Sequence, residues 1–233
     1  MNISLVRFGF DREIRAGLIE SLISCYRDVF AFEPWSEWLK CQACSKSWGR
    51  EQEPFLVSRV CPTCVQPLQE FWPADQVLRD LKKEITADAS CWLAINHELE
   101  VVGFSWGYPI TIRALEEKLD IQLSQSLSHY YGCCPDTVVG YQDEVGVRKD
   151  YRGIGIAHDM IDRRNDDLVA QGIKIAITRT RQFPGASLTY QWYSAAEYIK
   201  VAKYPCDDGR VIQATTFEGL KERLRLKPAM KCE

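Results

Sequence analysis

Little in this sequence would let it work through bulk charge or a lipid bilayer. Its 29 lysines and arginines nearly balance 32 aspartates and glutamates, for a formal net charge of −3. That balance excludes a nucleic-acid partner held by overall electrostatics, although a local basic patch stays open. No apolar run approaches the ~20 residues that cross a bilayer. The apolar stretch near the N-terminus is too short and interrupted for a secretory signal. The expectation is a cytoplasmic protein with no membrane partner. Ten cysteines in 233 residues fall below the ~8–10% that marks a disulfide scaffold. A reducing setting should leave most of Cys25, Cys91, Cys133, Cys134, Cys206 and Cys232 as small buried hydrophobes. Cys133 and Cys134 have only His129 as a nearby histidine, so a cysteine nucleophile has no evident base.

What is present alternates between two hydrophobic periods. Residues 3–8 read as a strand, followed by a helix that Asp11 can cap, with Ile14, Leu18, Leu22, Cys25 and Tyr26 at helical spacing. Pro34 ends that segment. Val77, Leu78, Leu81 and Ile85 mark a helix over 74–85. Residues 91–95 and 100–107 are strands joined at Asn96-His97-Glu98. Thr111 caps a predicted amphipathic helix carrying Leu115, Leu119, Leu123 and Leu127, closed by Gly132 and Pro135. Strands follow at 138–147 and 173–179, around a helix over 155–170 that ends at Gly172. A helix over 186–197 precedes strands 199–204 and 210–216, joined across Asp207-Asp208-Gly209. This order predicts an α/β (α+β) fold: a mixed, mostly antiparallel sheet flanked by helices.

Two segments carry chemistry. Cys41-x-x-Cys44 and Cys61-x-x-Cys64 are separated by sixteen residues, a spacing that points two thiolate pairs at one zinc ion. Four protein ligands leave no open position, so the zinc is expected to be structural. Lys40, Lys46, Arg50 and Arg59 are available to offset its excess negative charge. The second segment runs from Val145 through Arg152-Gly153-Ile154-Gly155-Ile156-Ala157. A strand enters a two-glycine turn and leaves as a helix, whose first amides lack partners and favour an anion. The dinucleotide pattern Gly-x-Gly-x-x-Gly is absent.

Arg152-x-x-Gly155-x-Ala157-x-x-Met160 resembles the acyl-CoA signature of GNAT acyltransferases. Glu144-Val145-Gly146-Val147 is similar to that family's fourth strand, and Tyr193 to Tyr198 to its Tyr-x-x-x-Gly-Phe element. Cys91 to Tyr108 and Tyr26 to Trp38 are similar to earlier strands and helices. Two positions depart from the pattern: Glu197 stands where the family has glycine, and Ala186 where it often has asparagine. The resemblance covers roughly the whole chain, as one domain over 1–233. A zinc-ribbon insert at 40–68 and a helical insertion at 111–135 fall outside it.

The resemblance implies direct transfer of an acetyl or short acyl group from acetyl-CoA to a primary amine. Val145 and Val147 would bond the pantetheine with their backbones. Arg152 and the amides of Gly153, Ile154, Gly155, Ile156 and Ala157 would hold the pyrophosphate. Asp143 and Glu144 are the candidate bases, with an ion pair to Arg148 as their alternative role. Glu144 is preferred because strand alternation sets Asp143 in phase with Val145 and Val147. Tyr193 would protonate the departing thiolate. His129, Tyr130 and Tyr131 end the helical insertion, and Asp136, Asp143 and Glu144 lie close in sequence, so a small cationic amine is the expected acceptor. A protein or aminoacyl-tRNA acceptor, or a non-catalytic CoA-binding module acting through its ribbon, are the alternatives.

Overall fold

The computed structural model describes residues 2–11, 17–33, 35–56, 59–183, 185–204 and 209–225. In chain order the elements are β1 (Ser4–Phe8), α1 (Leu18–Phe30), β2 (Leu39–Cys41), β3 (Ser47–Trp48), β4 (Leu68–Glu70), α2 (Ala74–Glu84), β5 (Ser90–Ile95), β6 (Val101–Thr111), α3 (Ile112–Leu119), α4 (Ser124–Tyr131), β7 (Val138–Val147), α5 (Ile156–Ala170), β8 (Ile175–Arg181), α6 (Leu188–Ala195), β9 (Ile199–Lys203), β10 (Arg210–Thr216) and α7 (Leu220–Arg225). Seven strands form one sheet in the order β1-β5-β6-β7-β8-β10-β9, and β3-β2-β4 form a second, small sheet. β7 and β8 run parallel, whereas β10 pairs antiparallel with both β8 and β9. The predicted mixed, mostly antiparallel sheet with helices is what the chain forms. Ile14, Asp207 and Asp208 lie outside the described residues, as do Pro34, Cys206 and Cys232.

The chain divides into two compact units: 1–87, 92–105 and 145–160 form the first, and 88–91, 106–144 and 161–233 the second. In the first unit, α1 buries Leu22, Cys25, Tyr26 and Val29, one stripe at helical spacing. The small sheet is fastened to this helix. Arg27 donates to Glu70 at 2.6 Å and Arg50 to Asp28 at 2.7 Å. Both guanidinium groups lie over the Trp38 ring, at 5.4 and 5.0 Å from its centroid, within cation–π range. The buried core of the small sheet is Leu39, Cys41, Leu56, Cys61 and Leu68, with Trp38 and Trp48 packed against it, a small core of the kind that a staple reinforces.

The second unit holds a departure from expectation. Leu115, Leu119, Leu123 and Leu127 are all buried, but the stripe is split: Leu115 and Leu119 lie on α3, Leu123 immediately precedes α4 and Leu127 lies on it. The chain breaks at Asp120, whose backbone is left-handed with φ 51°. Residues four apart drift ~40° around a helix, so four of them spread over ~120°, and breaking the helix returns the later pair to the core. Glu116 secures the restart: its carboxylate accepts from the amides of Leu123 and Ser124 at 2.6 and 2.7 Å, a cap delivered from the preceding helix. Thr111 caps α3 as predicted, accepting from Ala114 N at 3.2 Å.

Candidate active site

The turn between β7 and α5 belongs to the first unit. Val147 and Ile156 pack with Ala94, Val102 and Met160 in one apolar cluster, which fixes strand end and helix start. Arg152 folds back, its Nε donating to Val147 O at 2.9 Å. Gly153 and Gly155 have φ of 80° and 89°, and a Cβ built on either meets nothing within 4 Å. The left-handed backbone suits glycine, and the space before both residues is open. The first bond closing α5 runs from Asp159 N to Gly155 O at 3.1 Å, so the amides of Gly155, Ile156 and Ala157 precede the helical ladder. The turn thus offers aligned donors and an open approach, which fits a pyrophosphate. Arg148 pairs with Asp28 at 3.4 Å and Glu100 at 3.9 Å, not with either candidate base.

Asp143 and Glu144 belong to the second unit. The ladder between β7 and β8 runs from Gly140↔Ala176 to Gln142↔Thr178, and both strands continue past it. The carbonyl of Glu144 accepts instead from Arg164 Nη1 at 3.5 Å, and Arg164 Nη2 donates to Tyr193 OH at 3.3 Å. Arg164 is wholly buried. Gly107 makes room for it, since a Cβ there would meet Arg164 Cδ at 3.2 Å and Tyr141 O at 2.6 Å. One guanidinium therefore joins the candidate acid to the backbone of the candidate base. Sequence reading passed over Arg164. Its signal was the buried stripe Ile161, Arg164, Asn165, Leu168, in which a charge at a core position marks a paired or functional group.

Asp143 is committed elsewhere. Its carboxylate is buried and accepts from Lys118 Nζ at 2.9 Å and Tyr108 OH at 2.8 Å. Lys118 also bonds Tyr108. Asp136, the other acidic residue expected near the acceptor, pairs with Arg113 at 3.0 Å. Glu144 is half-buried. Burial opposes the charge of Arg179, but Tyr141, Glu144 and Asp143 outweigh it and hold the guanidinium firmly protonated. Burial, aided by Asp143, pushes the Tyr141 phenol well above its ordinary range. Tyr193 is buried, its ring 4.6 Å from that of Tyr198. Glu197, standing at the family's glycine position, has φ 66°; the left-handed turn survives without the glycine, at a cost of about 1–2 kcal/mol.

The four module cysteines converge. Their Sγ atoms all lie within 4.8 Å of one another, with Cys41–Cys64 at 3.3 Å and Cys44–Cys61 at 3.7 Å. A tetrahedral zinc with ~2.3 Å bonds to sulfur needs sulfurs ~3.8 Å apart, so the set fits a metal ion. The two knuckles are near copies. Cys41 O accepts from Ser45 N at 2.9 Å and Cys61 O from Val65 N at 2.9 Å, while Cys41 N and Cys61 N donate to Lys46 O and Gln66 O at 2.9 and 2.8 Å. Of the four expected cations, Arg50 and Arg59 are paired with Asp28 and Glu53. Lys40 lies over the Phe71 ring, 5.2 Å from its centroid, and Lys46 donates to Thr63 at 3.2 Å. Among the other described cysteines, Cys25, Cys91 and Cys133 are buried, in line with the expectation for most of them, and Cys134 is exposed, held beside Thr137 at 3.3 Å.

No protein-family model and no curated protein matches the sequence. Solved structures do match it. The PaiA N-acetyltransferase of Thermoplasma acidophilum, solved with coenzyme A, aligns over 93% of this chain and 99% of its own at 10% identity and TM-score 0.53. A GNAT-family protein from Desulfovibrio desulfuricans aligns over 93% and 99% at 8% identity and TM-score 0.52. NAA60 of Arabidopsis thaliana, solved with acetyl-CoA, aligns over 94% and 100% at 12% identity and TM-score 0.51. Nearly the full length of each chain is superposed, so the likeness extends across the architecture. The chain has the GNAT acetyltransferase fold, together with a four-cysteine cluster able to hold a metal ion.

Proposed function

We propose that the protein is an N-acyltransferase that moves an acetyl group from acetyl-CoA to a primary amine on a small molecule, within a ternary complex. The observation that carries this is the Arg164 bridge: it joins Tyr193 OH to the Glu144 carbonyl at the point where β7 and β8 stop pairing. Acetyl-CoA supplies the activated thioester. Arg152 and the amides from Gly153 to Ala157 take its pyrophosphate, and the backbones of Val145 and Val147 take its pantetheine. Glu144, directly or through water, removes the proton from the amine so that its lone pair can attack. Asp143, held by Lys118 and Tyr108, is the weaker candidate for that task. As the C–N bond forms and the C–S bond breaks, Tyr193 gives its proton to the departing thiolate.

The four cysteines are assigned to one structural zinc, Cys41, Cys44, Cys61 and Cys64 filling its coordination. A cytoplasmic setting suits this, since reducing conditions keep the thiols free. A protein acceptor is the second reading, in which the module would serve as a docking surface.

The transfer is tested by thiol release from acetyl-CoA over an amine panel, with calorimetry of CoA binding. Tyr193→Phe should lower turnover by about 10²-fold or more while leaving the CoA Kd unchanged. Gly155→Glu should abolish CoA binding. Gly155→Ala shares its backbone strain but not its bulk, and should retain binding. Equal CoA affinity in wild type and Gly155→Glu sinks the assignment of the turn. For the metal, native mass spectrometry should find one zinc per chain; four freely alkylated thiols in metal-free, folded protein would exclude it.

A further inference from the structure

The second unit carries two buried tyrosine hydroxyls without a hydrogen bond among the described residues, on a sheet face they share with arginines. In the sheet register Tyr141 is level with Ile177, so Arg179, two residues on, shares its face. Arg179 is opposite Ile212 and Arg181 opposite Arg210, which places both arginines on that face too. Tyr204 joins them: its N–H donates to Arg210 O at 3.2 Å, and the Arg210 guanidinium lies over its ring, 4.3 Å from the centroid. The hydroxyls of Tyr141 and Tyr204 are both buried without a hydrogen-bond partner among the described residues. Tyr141 is fully buried and Tyr204 is 8% exposed. Arg179 makes no hydrogen bond or close ion pair with a described residue, and the more distant charges of Glu144 and Asp143 act on it. Tyr204 and Arg210 also line a pocket of about 130 Å³ with Phe183, Lys200 and Lys203.

A buried hydroxyl without a partner is destabilising, and two beside a guanidinium are uncommon in one domain. All three groups are donors, and Arg179 adds a fork shaped for two coplanar oxygens. Of the acidic groups that would suit a cationic ligand, Asp143 is paired with Lys118 and Asp136 with Arg113, and Glu144 is the proposed base for the amine. We infer that Arg179, with the hydroxyls of Tyr141 and Tyr204, binds an oxyanion of the acceptor, a carboxylate or a phosphate carried on the same molecule as the reacting amine. The acceptor class is then an amino acid or a phosphorylated amine, not the simple cationic amine expected from sequence. This rests on the transferase reading for its amine and on the side chains alone for its anion.

The test titrates CoA-saturated protein by calorimetry with the standard amino acids and their carboxamides, and with O-phosphoethanolamine and ethanolamine. Charged members should bind at least about tenfold more tightly than their neutral partners. The carboxylate and phosphate arms separate the two sources of the oxyanion. Arg179→Gln should weaken the best charged ligand by about 10- to 100-fold with the CoA Kd unchanged, and Arg179→Lys should recover only part of the loss. Tyr141→Phe should weaken the same ligand without lowering Tm, because no bond within the protein is lost. Binding by no panel member, or equal binding of charged and neutral partners, overturns the inference. So does equal affinity in wild type and Arg179→Gln. Were Arg179 only a counter-charge for Glu144, its loss would not change the preference between charged and neutral members. Failure of CoA itself to bind would strike the transferase reading instead, and the oxyanion would then be sought on ligand-free protein with the same panel.

Discussion

The two faces of the second unit's sheet handle polar groups in opposite ways. On one, every group is answered. Gln142 donates to Asn165 at 2.7 Å and accepts from Tyr198 OH at 2.8 Å, and Thr178 donates to the Gln142 carbonyl at 3.2 Å. Thr180 donates to Gln213 at 2.7 Å, and Gln213 to Ser194 at 2.9 Å. On the other face stand Tyr141 and Tyr204 with hydroxyls unbonded among the described residues, and Arg179, whose guanidinium makes no hydrogen bond with them. Neighbouring residues of one strand, Tyr141 and Gln142, thus belong to opposite regimes. A closed buried network fixes structure, whereas an open one keeps its bonding capacity for something not yet present.

Thermal unfolding can break this comparison. The largest effect is expected from Gln142→Leu, which orphans Asn165 and Tyr198 together, at about 3 kcal/mol, or roughly 6–12 °C in Tm for a chain of this size. Tyr198→Phe removes one donor and should cost about 1 kcal/mol, or roughly 2–4 °C. Tyr141→Phe removes the same atom type from the opposite face and should leave Tm unchanged or raised. If Tyr141→Phe falls as far as Tyr198→Phe, the Tyr141 hydroxyl has a structural partner and the two faces are alike.

What was legible in the sequence follows the range of each signal. The four cysteines and the turn from Arg152 to Ala157 are local patterns, readable because spacing alone aims sulfurs or amides. Most strands and helices were legible from their periods. Arg164 was legible in principle, since a helical stripe can be read for charges as well as for leucines. The Lys118–Asp143 pair was not. It joins residues 25 apart through the order in which strands and helices pack. The face shared by Tyr141, Arg179 and Tyr204 also depends on which strands pair and in what register, and no local window contains that. Acidity near residue 143 in sequence therefore pointed to a cationic acceptor, while the pairing of strands placed arginines on that face.

The smallest effect tests the same contrast on a carboxylate. Glu116 is a group that the fold fully answers: although burial alone would raise its pKa, the amides of Leu123 and Ser124 hold it below its ordinary value. A depressed carboxylate contributes stability that is present above its unfolded pKa of about 4.3 and is lost as pH falls through the folded value. Glu116→Gln keeps an acceptor oxygen but loses the charge, so it should cost about 0.5–1 kcal/mol at pH 7, or roughly 1–4 °C in Tm. That difference from wild type should shrink as pH drops below about 4. Glu144, the proposed base, is half-buried; Glu144→Gln should lower turnover, with a smaller loss of Tm at pH 7 than Glu116→Gln. Equal Tm losses for the two variants would mean that Glu144 is held as firmly as Glu116, and its carboxylate would then be a structural group rather than the base.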